Sequence, residues 1–111
     1  MFGLFKRKNV KKDENSVAFR REMAAKLDGR HIKYATERID NVDIIIGREG
    51  SITLRDGKLI LFSSADIVFR CEIDELKASE LLSLDGAILT GPDLEHGGEM
   101  RTVIAYYTYY R

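Results

Sequence analysis

The stretch IIIGREGSITLRDGKLIL, Ile44 to Leu61, decides the fold, because its two halves point to different structures. The first half sets Gly47 and Gly50 three apart behind an aliphatic run, as in a glycine loop between helices. The second half alternates apolar and polar residues around Asp56-Gly57, as in a β-hairpin. A two-residue Asp-Gly turn sets Arg55 opposite Lys58, Leu54 opposite Leu59 and Ile52 opposite Leu61. That register puts the apolar pairs on one face without a slip. A helix through 51–57 would break at Gly57 and scatter those leucines.

The spelling Ile-Ile-Gly-x-x-Gly over 45–50 resembles the glycine loop of the KH family of RNA-binding domains. That resemblance implies a clamp for a nucleic-acid backbone, built where two helices meet, with an aliphatic residue three places after the second glycine. Here that place is Thr53, and a hairpin follows in place of a helix. The tetrapeptide Gly47-Arg48-Glu49-Gly50 therefore reads as a turn leading into a sheet, and nucleic acid is not the expected partner.

Upstream, Phe19, Met23 and Leu27 recur every four residues with Ala24 beside them, which predicts an amphipathic helix. Ser16 is placed to cap its start, and Asp28-Gly29 to end it. HIKYATERI, 31–39, alternates weakly and reads as an edge strand; VDIII, 42–46, reads as a buried strand.

Downstream, DIVFRCEI sets Ile67, Phe69, Cys71 and Ile73 on one face. DELKASELLSL, 74–84, fits a short helix or a bend followed by a strand; the bend and strand are preferred because Asp85-Gly86 then turns into AILTG. Gly91-Pro92 should break that strand and leave 92–100 as a loop. RTVIAYYTYYR closes the chain as a strand apolar on both faces.

The chain of 111 residues is one domain in length, 44% apolar and 32% charged, which excludes a disordered or collagenous class. One cysteine excludes an internal disulfide, no apolar run reaches the ~20 residues of a membrane helix, and MFGLF is too short for a secretory core, so a cytoplasmic protein is expected. The net charge of zero hides an asymmetry. Residues 1–38 carry eleven Lys/Arg against five Asp/Glu, and residues 39–111 carry seven against thirteen. Residues 1–13 read as a mobile basic arm, with Lys6, Arg7, Lys8, Lys11 and Lys12 as candidate contacts for an anionic membrane or other polyanion. Residues 14–111 read as a single β-rich domain with an N-terminal helix.

The 92–100 loop gathers Asp93, Glu95, His96 and Glu99, which are metal-ligand types, yet one histidine among exposed carboxylates describes a solvated loop better than a metal site. Cys71 on an apolar strand face reads as a small hydrophobe. Ser63, Ser64 and Ser83 lack a base at any motif spacing, and no Walker loop or dinucleotide fingerprint occurs. No catalytic, metal or cofactor-binding residue is therefore assigned. The tyrosines stand out: Tyr107 and Tyr109 fall on one face of the last strand, Tyr106 and Tyr110 on the other. One pair packs inside; the other either lies under the N-terminal helix with its hydroxyls at the rim or, as Tyr106 and Tyr110, forms an interaction surface on a strand whose edge no later element covers.

The expected fold is α+β and β-rich: the amphipathic helix packs on a mostly antiparallel meander of about six strands, as a roll or small barrel. The strand order over residues 42–110 resembles that of small bacterial relatives of the pleckstrin-homology (PH) and GRAM superfold. That family places its helix after the last strand, so here the N-terminal helix would have to take its place. The resemblance implies a non-enzymatic binding or scaffolding module, self-associating as a homodimer or protein-binding. A peripheral membrane or polyanion adaptor using the basic arm is the alternative, and a hydrolase or metal-dependent enzyme at the 92–100 loop is the third reading.

Overall fold

The computed structural model describes residues 16–108; the basic arm, Tyr109 and Tyr110 lie outside the described residues. One helix, α1 (Val17–Leu27), precedes seven strands: β1 (His31–Ile39), β2 (Val42–Arg55), β3 (Lys58–Ser63), β4 (Asp66–Glu72), β5 (Lys77–Glu80), β6 (Gly86–Asp93) and β7 (Glu99–Tyr106). All pairings are antiparallel, in one open sheet of order β4-β3-β2-β1-β7-β6-β5.

α1 forms where the apolar spacing placed it. Ser16 Oγ accepts the Phe19 N–H at 3.1 Å, and Gly29 turns the chain with φ +85°. Ala24 and Leu27 bury completely against the sheet. The helix is tied down by polar contacts as well: the Leu54 N–H donates to Asp28 Oδ1 at 2.9 Å, and Arg21 grips Asp74 with two bonds of 2.9 Å.

The β2–β3 hairpin has the expected register, with Leu54↔Leu59, Ile52↔Leu61 and Arg55↔Lys58 around a turn whose φ values are +52° at Asp56 and +76° at Gly57. The tetrapeptide 47–50, however, is neither a loop between helices nor a turn. It lies inside β2, which runs 14 residues without a break, so VDIII and ITLR belong to one strand. The glycines serve close approach: a Cβ at Gly47 would strike Ser63 Oγ, and one at Gly50 would strike the Phe62 carbonyl. Glu49 takes φ +51°, and the β1–β2 register shifts between Ala35 and Thr36, where Ile46 is the extra residue on β2, so that the neighbours Ala35 and Thr36 are both buried.

β1 is not an edge strand. It lies between β2 and β7, and its weak alternation reflects the register shift at Ala35/Thr36 and an ionic partner for Glu37. β7 likewise lies between β1 and β6, so the edge expected to be uncovered is paired on both sides. Its apolar character on both faces matches their burial: Val103, Ile104 and Ala105 are all fully buried.

Residues 73–84 contain a bend and a strand, here a 3₁₀ turn at Ile73–Glu75 and then β5. The β5–β6 connection is longer than two residues, leaving Leu82 and Leu84 exposed instead of on a strand face. Pro92 does not break β6, which pairs with β7 as far as Asp93↔Glu99. β5 reaches only to Thr90, so no second strand lies beside Pro92 to need its missing N–H. Ile67 leaves the core face because the β3–β4 register shifts by one residue at Val68.

The sheet curls until its two halves meet. Leu59, Leu61, Phe69 and Cys71 from one half pack with Ala87, Leu89, Val103 and Ala105 from the other, and Leu27 joins them from α1. No helix among the described residues is long and apolar enough to cross a membrane.

Candidate functional site

β4 and β5 are the two edges of the sheet, and they are treated differently. At β4, side chains from the opposite half satisfy the backbone. Asp93 Oδ1 accepts the Arg70 N–H at 3.1 Å, and Arg101 Nη1 donates to the Val68 carbonyl at 3.0 Å. These side chains belong to an ionic clasp. Arg101 grips Glu37 with Nε to Oε2 at 3.0 Å and Nη2 to Oε1 at 2.6 Å, and also pairs with Asp93. Asp93 further accepts from the Glu95 N–H at 2.9 Å, and Glu95 pairs with Arg70 at 2.8 Å.

His96 Nδ1 sits 2.8 Å from Asp93 Oδ2 and 3.1 Å from Arg101 Nη1. An ionised carboxylate can only accept, so Nδ1 carries the proton that faces it. Burial alone would raise the Asp93 carboxyl; the bonds from Arg101, the Glu95 and Arg70 N–H groups and His96 together outweigh it and hold it below its ordinary range. The Arg101 bond lowers Glu37 as well. The side chain of Asp93 is fully buried and that of Arg101 is 8% exposed, whereas His96 is 51% exposed at the rim.

The residues singled out at 92–100 are thus partly brought together, but around an arginine. Asp93 and His96 face Arg101, Glu95 faces Arg70, and Glu99 is exposed at the start of β7. Among the described residues no cluster of three metal-ligating side chains forms. Arg101 and Glu37 were not foreseen. They stand 64 residues apart, and only the β1–β7 pairing joins them.

At β5 the edge is open. The Leu81 N–H donates to the Gly86 carbonyl at 2.9 Å, so ladder alternation makes Ser79–Ile88 and Lys77–Thr90 the bonded pairs. The N–H and C=O groups of Ala78 and Glu80 then point away from the sheet, and among the described residues nothing bonds to them. A groove of about 350 Å³ runs along this edge, walled by Phe19 and Met23 of α1 and floored by Leu76, Ile88 and Thr90. Arg20 lines it too: one guanidinium nitrogen donates to the Asp74 carbonyl while its buried Nε has no partner.

No protein-family model matches the chain, and neither does any curated protein or solved structure.

The tyrosines separate by burial. Tyr106 is 7% exposed and its ring stacks on Tyr34, with centroids 4.5 Å apart, which leaves a partner only the rim of the ring. Tyr107 is half-buried beneath the Arg30 guanidinium, 3.7 Å above its ring. Tyr110 and the five basic residues Lys6, Arg7, Lys8, Lys11 and Lys12 lie outside the described residues. Cys71 is buried, and burial pushes its thiol up to about 12, away from the thiolate that a nucleophile needs. Ser63 is fully buried with an unpartnered hydroxyl, and Ser64 bonds the backbone of Arg48.

Proposed function

We propose that the chain is a non-enzymatic binding module of PH-like type that takes an extended segment of a partner protein on the free edge of β5. One observation carries this reading: Ala78, whose backbone faces outward, lines a groove between α1 and β5 and Glu80 continues the open edge, whereas the backbone of the other edge strand, β4, is capped by Asp93 and Arg101. An added strand would gain main-chain hydrogen bonds from β5, and its alternate side chains would enter the groove between Phe19, Met23 and Ile88. The unpartnered Arg20 Nε and the nearby Lys77 favour an acidic side chain or a chain-terminal carboxylate at one end of that segment. The seven-strand order supports the PH-like reading, with α1 packing against β5 from before β1.

The test is selection of binders from a displayed library of random peptides, followed by Ala78→Pro. Proline at 78 removes an outward N–H and no ladder bond, so the fold should persist while binding is lost. Failure to select any peptide, or peptides that bind the proline variant equally well, would sink the proposal.

A further inference from the structure

The β1–β2 hairpin continues beyond the rest of the sheet as an arm. β7 pairs with β1 only as far as Glu37, and β3 pairs with β2 only from Gly50, so among the described residues no strand pairs with the outer part of the hairpin on either side. The Ser63–Ser64 corner covers β2 at Gly47 and Arg48, which leaves Val42 to Ile46 as open edge. The arm turns at Asp40-Asn41, with φ +51° and +65°, the geometry of a two-residue hairpin turn. In such a hairpin the flanking pair Ile39–Val42 is hydrogen-bonded, and so, two residues on, is Glu37–Ile44. The N–H and C=O groups of Asp43 and Ile45 therefore point outward from β2.

This edge has the composition that edge strands ordinarily avoid. Val42, Ile44 and Ile45 are 58%, 49% and 48% exposed, and Ile39 across the turn is 46% exposed. No proline interrupts it, and no lysine faces out from it. Its one charged residue, Asp43, is held by Arg38 in two bonds of 2.9 and 3.2 Å. An identical arm approaching it thus brings no unpaired like charge. β-Branched residues at 42, 44, 45 and 46 favour the extended form that pairing needs.

We infer that the arm is a dimerisation surface and that its occupant is a second copy of the same arm, added antiparallel along the β2 edge. The register follows from which groups face out. With the two-fold axis at Ile44, Asp43 of each copy pairs with Ile45 of the other, and the outward N–H and C=O groups make four hydrogen bonds. Ile44 then faces its own counterpart as a non-hydrogen-bonded pair, with Cα atoms about 4.5 Å apart. Val42 faces the second copy's Ile46. Val42, Ile44 and Ile39 lie on one face of the arm, so pairing joins two apolar patches on the same side of a continuous sheet. An antiparallel strand paired with itself is isologous and closed, so the assembly stops at two copies. The β5 groove is left free, and this surface does not depend on the peptide-binding reading.

The decisive measurements are sedimentation and cysteine cross-linking of the full chain. The parent should sediment as a dimer at high micromolar concentration. Ile44→Lys should be monomeric with an unchanged circular dichroism spectrum, because it places like charges on the two-fold axis and empties no core. Ile44→Cys should oxidise to a covalent dimer within the folded state, while Val42→Cys should not, since its expected neighbour is Ile46. A monomeric parent would overturn the inference, as would a dimer indifferent to Ile44→Lys. Equal cross-linking at 42 and 44 would overturn the register.

Discussion

Arg101 on β7 holds Glu37 on β1 through two parallel hydrogen bonds while a third nitrogen contact fixes Asp93 at the end of β6. One cation thus joins strands from three places in the chain, and the same guanidinium caps the β4 carbonyl of Val68. Removing it strands a fully buried carboxylate. Arg101→Ala is expected to cost about 3–5 kcal/mol, the range for breaking one side of a buried pair. Urea denaturation at neutral pH measures it; a loss below ~1 kcal/mol would show that water or His96 compensates.

Acid should weaken the fold through the same clasp. The folded-state values of Glu37 and Asp93 lie below those of ordinary carboxylates, so their contribution is fully present above the unfolded values near ~4. It is lost as pH falls through the lower folded values. The urea midpoint should therefore drop as pH is taken below that range. In Arg101→Ala the Asp93 carboxyl loses one of the bonds that hold it down, so its folded value should rise and the acid-induced loss of stability should be smaller than in the parent.

The two hairpin glycines should respond for different reasons. Gly57→Val forces a β-branched residue to φ +76° and should destabilise by about 1–3 kcal/mol. Gly50→Ala meets the backbone carbonyl of Phe62, which cannot move without opening β2–β3, and should be at least as damaging. Thermal melts of both variants check this. A Gly57→Val protein that melts like the parent would mean the turn is misassigned.

Cys71 should be silent to thiol reagents until the protein unfolds. Its thiol is buried between the sheet halves, and its Sγ lies where a Cβ at Gly91 would sit. Labelling with an aromatic disulfide reagent is expected to be slow in buffer and immediate in denaturant. Rapid labelling under native conditions would place β4 outside the core.

Phe69 is the largest fully buried side chain. Phe69→Ala should cost about 3–5 kcal/mol by lost transfer energy and the cavity left behind. Chemical denaturation is the measurement, and a cost under ~1 kcal/mol would mean that the two halves of the sheet do not close on this ring.

Much of the local structure was legible because its causes are local. The Ser16 cap, the Gly29 stop and the Asp56-Gly57 turn each follow from one or two residues whose backbone preferences dominate. The 47–50 tetrapeptide was misread because a glycine admits both a turn and a close approach. Only the position of Ser63 and Phe62 against it decides between them. The clasp is invisible in the sequence for a related reason: Asp93 reads as part of a solvated loop, and nothing near Glu37 or Arg101 marks them as partners until the sheet brings the three together.

Residue order alone determined the α1 helix, the β2–β3 register and the β-rich class, since periodicity and turn chemistry act over a few residues. Tertiary structure decided which strands are edges. β1 and β7 lie far apart in sequence, and their pairing moves both into the sheet interior, burying Tyr106 and bringing Glu37 onto Arg101. The same closure leaves the β5 edge and the 42–46 arm as open backbone. An edge is a property of what lies beside a strand, and no pattern within the strand records its neighbour.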